Sequence, residues 1–103
     1  MINRGGIKVY PEEIDLLLKS HPEISDACAF AVPDPIAGQT VGAAVVFRDQ
    51  AVSFDSIETW FRERALYYKV PSRWFSLSGI PITERGKVSR SLVAKLCGIE
   101  SQT

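Results

Sequence analysis

Lys87 follows Gly86 in the segment Pro81-Ile82-Thr83-Glu84-Arg85-Gly86-Lys87, just ahead of Ser89, a residue able to cap a helix. The turn residues around it make a loop from which an ammonium group can reach outward. A surface lysine is usually a solvated charge, and a functional role for this one is the alternative that spacing leaves open. The pair Gly5-Gly6 comes second, since a backbone without side chains admits a close-fitting neighbour or simply a turn. Glu12 and Glu13 have the composition of an acid/base pair, but a place in the first turn of a helix accounts for them through the helix dipole. His21, the single histidine, sits beside Pro22 with no nucleophile marked near it. No Ser-His-Asp arrangement can be built around it, and a structural capping role is expected. Cys28 and Cys97 lack CxxC or Cys/His spacing, so neither a disulfide framework nor a metal site is expected and both read as buried thiols.

The elements that must position these residues follow from patterning. Ile7-Lys8-Val9-Tyr10 reads as a short extended piece after the glycines. Pro11 suits the first turn of a helix, over which Ile14, Leu17 and Leu18 recur at helical spacing and which ends near Ser20, before Pro22. Ile24 to Val32 and Thr40 to Phe47 are small, apolar and β-branched, and read as paired core strands joined by a long loop, Pro33 to Gln39. Ser53 can cap a second helix with Phe54, Ile57, Trp60 and Phe61 on one face. Tyr67 to Pro71 breaks it, and Arg73 to Leu77 is a short strand. Gly79 to Lys87 is loop, and Ser89 can cap a last helix over Leu92, Val93 and Leu96, with Gly98 just past its end. The fold class expected is α+β: a central antiparallel three-stranded sheet packed by about three helices, plus a short N-terminal extended segment.

With 103 residues, 46% of them hydrophobic and 23% charged, the chain has the composition of one packed domain spanning 1–103 rather than a disordered segment. Twelve Lys and Arg balance twelve Asp and Glu, which argues against the basic footprint of a nucleic-acid binder. Tyr67, Tyr68 and Trp74 near Arg and Lys keep a single-stranded RNA module as the weakest alternative. No run is long and apolar enough to span a bilayer, and Met1 to Tyr10 is too short and polar for a signal peptide. The expected setting is soluble and cytoplasmic.

Taken in order, these segments resemble the small C-terminal domain of the acyl-adenylate-forming (AMP-binding) enzymes, a superfamily of acyl-CoA and aryl-CoA synthetases, peptide-synthetase adenylation domains and luciferases. The stretch from Ile2-Asn3-Arg4-Gly5-Gly6-Ile7-Lys8-Val9-Tyr10-Pro11 to Ile14 is similar to the motif that opens that domain. His21-Pro22, Ala27 to Val32 and Pro33-Asp34 through Gly38 continue in register. Tyr68-Lys69-Val70-Pro71, then Pro81, Thr83, Gly86-Lys87-Val88 and Arg90, resemble its closing motif. The wording Lys8-Val9-Tyr10-Pro11 is nearer the free-standing acyl-CoA and aryl-CoA synthetases. Gln39 departs from the family, which more often has Glu there.

The resemblance implies a mobile lid on a large N-terminal domain that binds ATP and a carboxylic acid. Lys87 matches the lysine that reaches the carboxylate and the α-phosphate, with Thr83 and Gly86 shaping its loop. In a second orientation Gly5 and Gly6 face the active site beside the CoA pantetheine, with Lys8 nearby, and Tyr68, Lys69 and Arg73 are expected to meet the adenine and phosphates of CoA. ATP, Mg2+ and CoA then belong to the intact ligase, and this domain alone is expected to hold no cofactor and to be inactive. Pro81, four residues, then Gly86-Lys87 also has the form that protein lysine acyltransferases recognise in this family. The Met-Ile start resembles an internal family position, so an excised lid is expected; the alternative is a free-standing module of the same fold, acting in trans or as an acylation target.

Overall fold

A computed structural model describes residues 1–99. Their order is β1 (Ile2–Arg4), β2 (Ile7–Val9), α1 (Pro11–Lys19), β3 (Ile24–Asp34), β4 (Gly38–Phe47), α2 (Phe54–Arg62), a 3-10 turn (Tyr67–Lys69), β5 (Arg73–Ser76) and α3 (Arg90–Leu96). The class is α+β, as the patterning indicates, but the sheet has five strands rather than three. Two features account for the difference. Gly5 and Gly6 take φ of 60° and 91°, the pair of positive angles that a type I′ turn requires. The N-terminal segment therefore folds into a hairpin, Ile2 opposite Val9, and joins β4 at Gly38. Farther along the same edge, β5 lies parallel to Gly42–Val45 of β4, because α2 supplies the crossover that a parallel connection needs.

The β3–β4 pair forms the centre, in register from Ala27 opposite Val45 to Asp34 opposite Gly38. The strands run farther than patterning indicates, so the connection is only Pro35-Ile36-Ala37 instead of Pro33 to Gln39. The Asp34 carboxylate holds the tight turn, accepting from the backbone N–H groups of Ala37 at 2.8 Å and Ile36 at 2.9 Å. These bonds favour the ionised form and lower its pKa. Pro33 is accommodated because β3 is an edge strand.

Both faces of the sheet are covered, which is why β3 and β4 read as continuous apolar runs rather than alternating ones. On one face Ile14, Leu18, Ile57 and Phe61 from α1 and α2 pack on Ala29, Val41, Ala43 and Val45. On the other, Val93 and Ala94 of α3 cover Cys28, Phe30, Val32 and Ala44, with Phe75 and Leu77 alongside. Ser53 and Ser89 cap α2 and α3 through their hydroxyls, accepting from the N–H of Ser56 and Leu92. His21 is buried; its Nδ1 accepts from the Glu23 N–H at 3.0 Å and its ring meets Trp60 edge-on. Cys28 is buried as expected, whereas Cys97 is only half-buried, since it ends α3 near the surface. Among the described residues no helix is long and apolar enough to cross a membrane.

Candidate functional site

The lysine loop is built by a turn that closes on itself. Thr83 N–H donates to the Lys87 carbonyl at 2.7 Å and Gly86 N–H to the Thr83 carbonyl at 2.8 Å. The Thr83 hydroxyl accepts from the Lys87 N–H at 3.4 Å, and Ile82 bridges to Val88. Gly86 has φ of 75°, a left-handed conformation that costs a glycine little. Lys87 stands at the foot of this turn, exposed, and the ion pairs found among the described residues do not include it. Clefts of about 600 and 260 Å³ open elsewhere, lined by other residues. Lys87 is thus exposed at the foot of the turn and lies outside these two clefts.

At the root of α3, Arg90 is anchored on several sides. Its Nη2 lies 2.8 Å from Asp15 Oδ2 and 3.9 Å from Glu12 Oε1, and its Nη1 donates to the Ala29 carbonyl at 2.8 Å. Burial disfavours its charge, but the hydrogen bond and the charge of Asp15 outweigh that and raise its pKa above the ordinary arginine value. Cys28 beneath it is also raised, which keeps the thiol neutral: burial first, then the Asp15 charge, lift it to about 11. Sequence reasoning places Arg90 in a motif without a role and passes over Asp15. The available signal is an aspartate next to Ile14 on the face that α1 buries, with its side chain only 13% exposed.

The glycine hairpin forms a second cluster. Arg4 Nη1 donates to the carbonyls of Tyr68 and Val70 at 3.0 and 2.9 Å, and Gly5 N–H donates to the Ala37 carbonyl at 2.9 Å. Hairpin, β3–β4 connection and 3-10 turn are thereby stitched together. Asn3 stabilises the hairpin tip, its Oδ1 accepting from the Gly6 N–H at 2.9 Å, while its own N–H donates to Gln39 Oε1 at 2.8 Å. The Gln39 amide oxygen thus serves as an acceptor that ties β4 to β1.

Gly5, Gly6, Lys8, Tyr68 and Lys69 are drawn into one region, since β2 packs on the 3-10 turn. Lys8 is exposed and Tyr68 half-buried. Lys69 already has a partner: its Nζ lies 2.9 Å from Glu13 Oε2, and that hydrogen bond raises its pKa. Arg73 stands apart from this cluster, opposite Gly42 on β5, with its guanidinium 5.6 Å from the centre of the Phe75 ring. Among the described residues no group of three or more His, Cys, Asp or Glu is placed to hold a metal ion.

Comparison with known proteins places this geometry. Residues 13–87 match the family model of the AMP-binding enzyme C-terminal domain. The chain is 38% identical over 96 residues to an oxalate–CoA ligase of Arabidopsis thaliana, a match covering 92% of this chain and 19% of that protein. In structure it is similar to a fatty acyl CoA synthetase of Mycobacterium tuberculosis, with a TM-score of 0.85, 29% identity and coverage of 93% of this chain and 19% of that one. An amide bond synthetase from Marinactinospora thermotolerans gives a TM-score of 0.85 at 30% identity, covering 92% of this chain and 19% of its own. The chain thus spans about a fifth of the length of these relatives. With the family model spanning most of the chain and the fold superposing on such domains, the protein belongs to the family of AMP-binding enzyme C-terminal domains.

Proposed function

We propose that this chain is the mobile C-terminal domain of a cytoplasmic, ATP-dependent, AMP-forming acid–CoA ligase, and that Lys87 is its adenylation lysine. The observation that carries the reading is the presentation of Lys87: exposed, outside the ion pairs seen, and held on a self-closed turn outside the clefts. A lysine displayed in this way serves a site that another domain completes. In the first half-reaction a carboxylate oxygen, bound with ATP by the large domain, attacks the α-phosphorus and pyrophosphate leaves. Both reactants are anions, so an ammonium between them lowers the repulsion most where they are closest, in the transition state. In the second half-reaction the CoA sulfur attacks the acyl carbonyl and AMP leaves. The Gly5-Gly6 backbone lines the thiol's approach, with Lys8, Tyr68, Lys69 and Arg73 offered to the nucleotide end of CoA. Lys69 does so while paired with Glu13, which leaves it less charge to give a phosphate. Mg2+ enters with the nucleotide and the large domain, and no residue of this chain is assigned to it. The likeness to an amide bond synthetase favours a second acceptor, an amine in place of the CoA thiol, with the role of Lys87 unchanged.

The test is Lys87→Ala in the full-length ligase that carries this domain. Acid-dependent pyrophosphate release should fall at least about a hundredfold, the scale of losing one electrostatic transition-state contact, while thioester formation from supplied acyl-adenylate stays within a few fold. Equal loss of both half-reactions would remove Lys87 from the role.

A further inference from the structure

Between residues 82 and 88, the hydrogen bonds tie the lysine loop to itself: Thr83 to Lys87, Gly86 to Thr83 and the Ile82–Val88 bridge. Its direction is therefore set at its two roots. One is β5, continued by Leu77 N–H donating to the Val45 carbonyl. The other is Arg90, three residues after Lys87, at the start of α3.

That second root is anchored through both the sheet edge and helix α1. Ala29 lies on β3, the edge of the sheet, and both of its backbone polar groups are taken by side chains: Asp15 accepts from its N–H and Arg90 donates to its carbonyl. The two side chains then meet each other at 2.8 Å. Asp15 belongs to α1 on one face of the sheet and Arg90 to α3 on the other. The pair thus clasps the sheet edge and links the helices of both faces, with Glu12 adding a second carboxylate at 3.9 Å. A fork of fixed donors spread over a carboxylate and a carbonyl restrains rotation as well as distance.

We infer that Arg90, held by Asp15, is a positioning residue for Lys87, fixing the angle at which the lysine loop leaves the domain. This rests on the adenylation role proposed for Lys87. A lysine that must sit between two anions loses much of its effect when it is displaced by about an ångström, so loosening the clasp should slow adenylation while leaving the hairpin side untouched.

The experiment is a double-mutant cycle in the full-length ligase with Arg90→Gln and Lys87→Ala, both half-reactions and the melting temperature being measured. Arg90→Gln should lower kcat for pyrophosphate release about tenfold or more, with KM for ATP and acid within about twofold and thioester formation from supplied adenylate retained. In the Lys87→Ala background the same change should cost little further, because its effect passes through the lysine. Asp15→Asn, which keeps an oxygen for the Ala29 N–H, should reproduce the pattern, and Arg90→Lys should recover part of the rate.

Additive losses in the cycle, or equal loss of both half-reactions with a lowered melting temperature, would show that Arg90 only holds the fold and would overturn the inference. The positioning role is equally overturned if Lys87→Ala cripples adenylation and neither Arg90→Gln nor Asp15→Asn slows it. If Lys87→Ala itself spares adenylation, the lysine assignment falls first and the positioning role with it.

Discussion

Cys28 and Cys97 show how far environment separates two residues of one type. Cys28 is fully buried beneath α3, within 3.7 Å of the Arg90 guanidinium, with a thiol raised to about 11. Cys97 is half-buried at the end of α3, and burial raises its thiol as well. A thiolate is the reactive form. At pH 8 a maleimide should therefore modify Cys97 of the folded chain and spare Cys28, as peptide mapping by mass spectrometry would show; equal modification would mean that α3 opens readily. The same burial links stability to pH. The folded-state pKa of Cys28 lies above the ordinary thiol value, so the stability its neutral form contributes is full below about pH 8.5 and is lost as the pH climbs toward 11. The loss is on the order of 2 kcal/mol, and urea melts at pH 8 and 10.5 should show the wild type losing more stability than Cys28→Ala by about that amount, the loss common to both coming from the groups they share, Cys97 among them. The residue scale is also where sequence is least legible. Lys87 is visible through its glycine and its turn, but the pairing of Lys69 with Glu13 and the clasp of Asp15 on Arg90 join residues far apart in the chain, and no local pattern announces them.

Packing at the level of elements depends on one glycine that no turn explains. Gly42 lies in the middle of β4, and a Cβ there would come within 2.5 Å of Phe30 Cε2 and 2.8 Å of Val32 Cγ2. Phe30 is itself buried under α3 and has little room to move. Gly42→Ala should therefore cost about 1–3 kcal/mol, the usual penalty of overpacking, although alanine elsewhere in a strand is better than glycine. A thermal melt decides it, since an unchanged or higher melting temperature would mean that the Phe30 ring relaxes freely. The elements themselves divide by how local their causes are. The three helices are legible because Pro11, Ser53 and Ser89 mark their starts and apolar spacing marks their faces. The β3–β4 pair is legible because burial on both faces leaves a continuous apolar run. The hairpin strands are three residues each, too short to show a period, and the partners of β1 and β5 are fixed by closure of Gly5-Gly6 and by the α2 crossover. Strand pairing of that kind is a property of the folded whole, which is why an expectation of three strands becomes five.

On the scale of the whole molecule, the chain encloses its own core while presenting Lys87 outward. Helices of the same chain cover both sheet faces, and a radius of gyration of 13.0 Å is that of a compact domain of about a hundred residues. The isolated 103-residue chain should then unfold in one cooperative transition, and Lys87→Ala, which touches an exposed side chain, should move its melting temperature by no more than a degree or two. By the same geometry the chain alone should release no pyrophosphate above background from ATP, a carboxylic acid and CoA, because a lysine on an open loop binds neither reactant. Calorimetry and a coupled pyrophosphate assay on one preparation test both halves together. A broad, non-cooperative melt would mean that the large domain is needed to complete the fold as well as the site. Pyrophosphate release that survives in the wild type and disappears in Lys87→Ala would mean that the small domain assembles a catalytic site unaided. A sharp transition with no release separates the two tasks: the sequence of this domain suffices for its architecture, and the adenylation proposed for Lys87 then requires a second domain to hold the reactants.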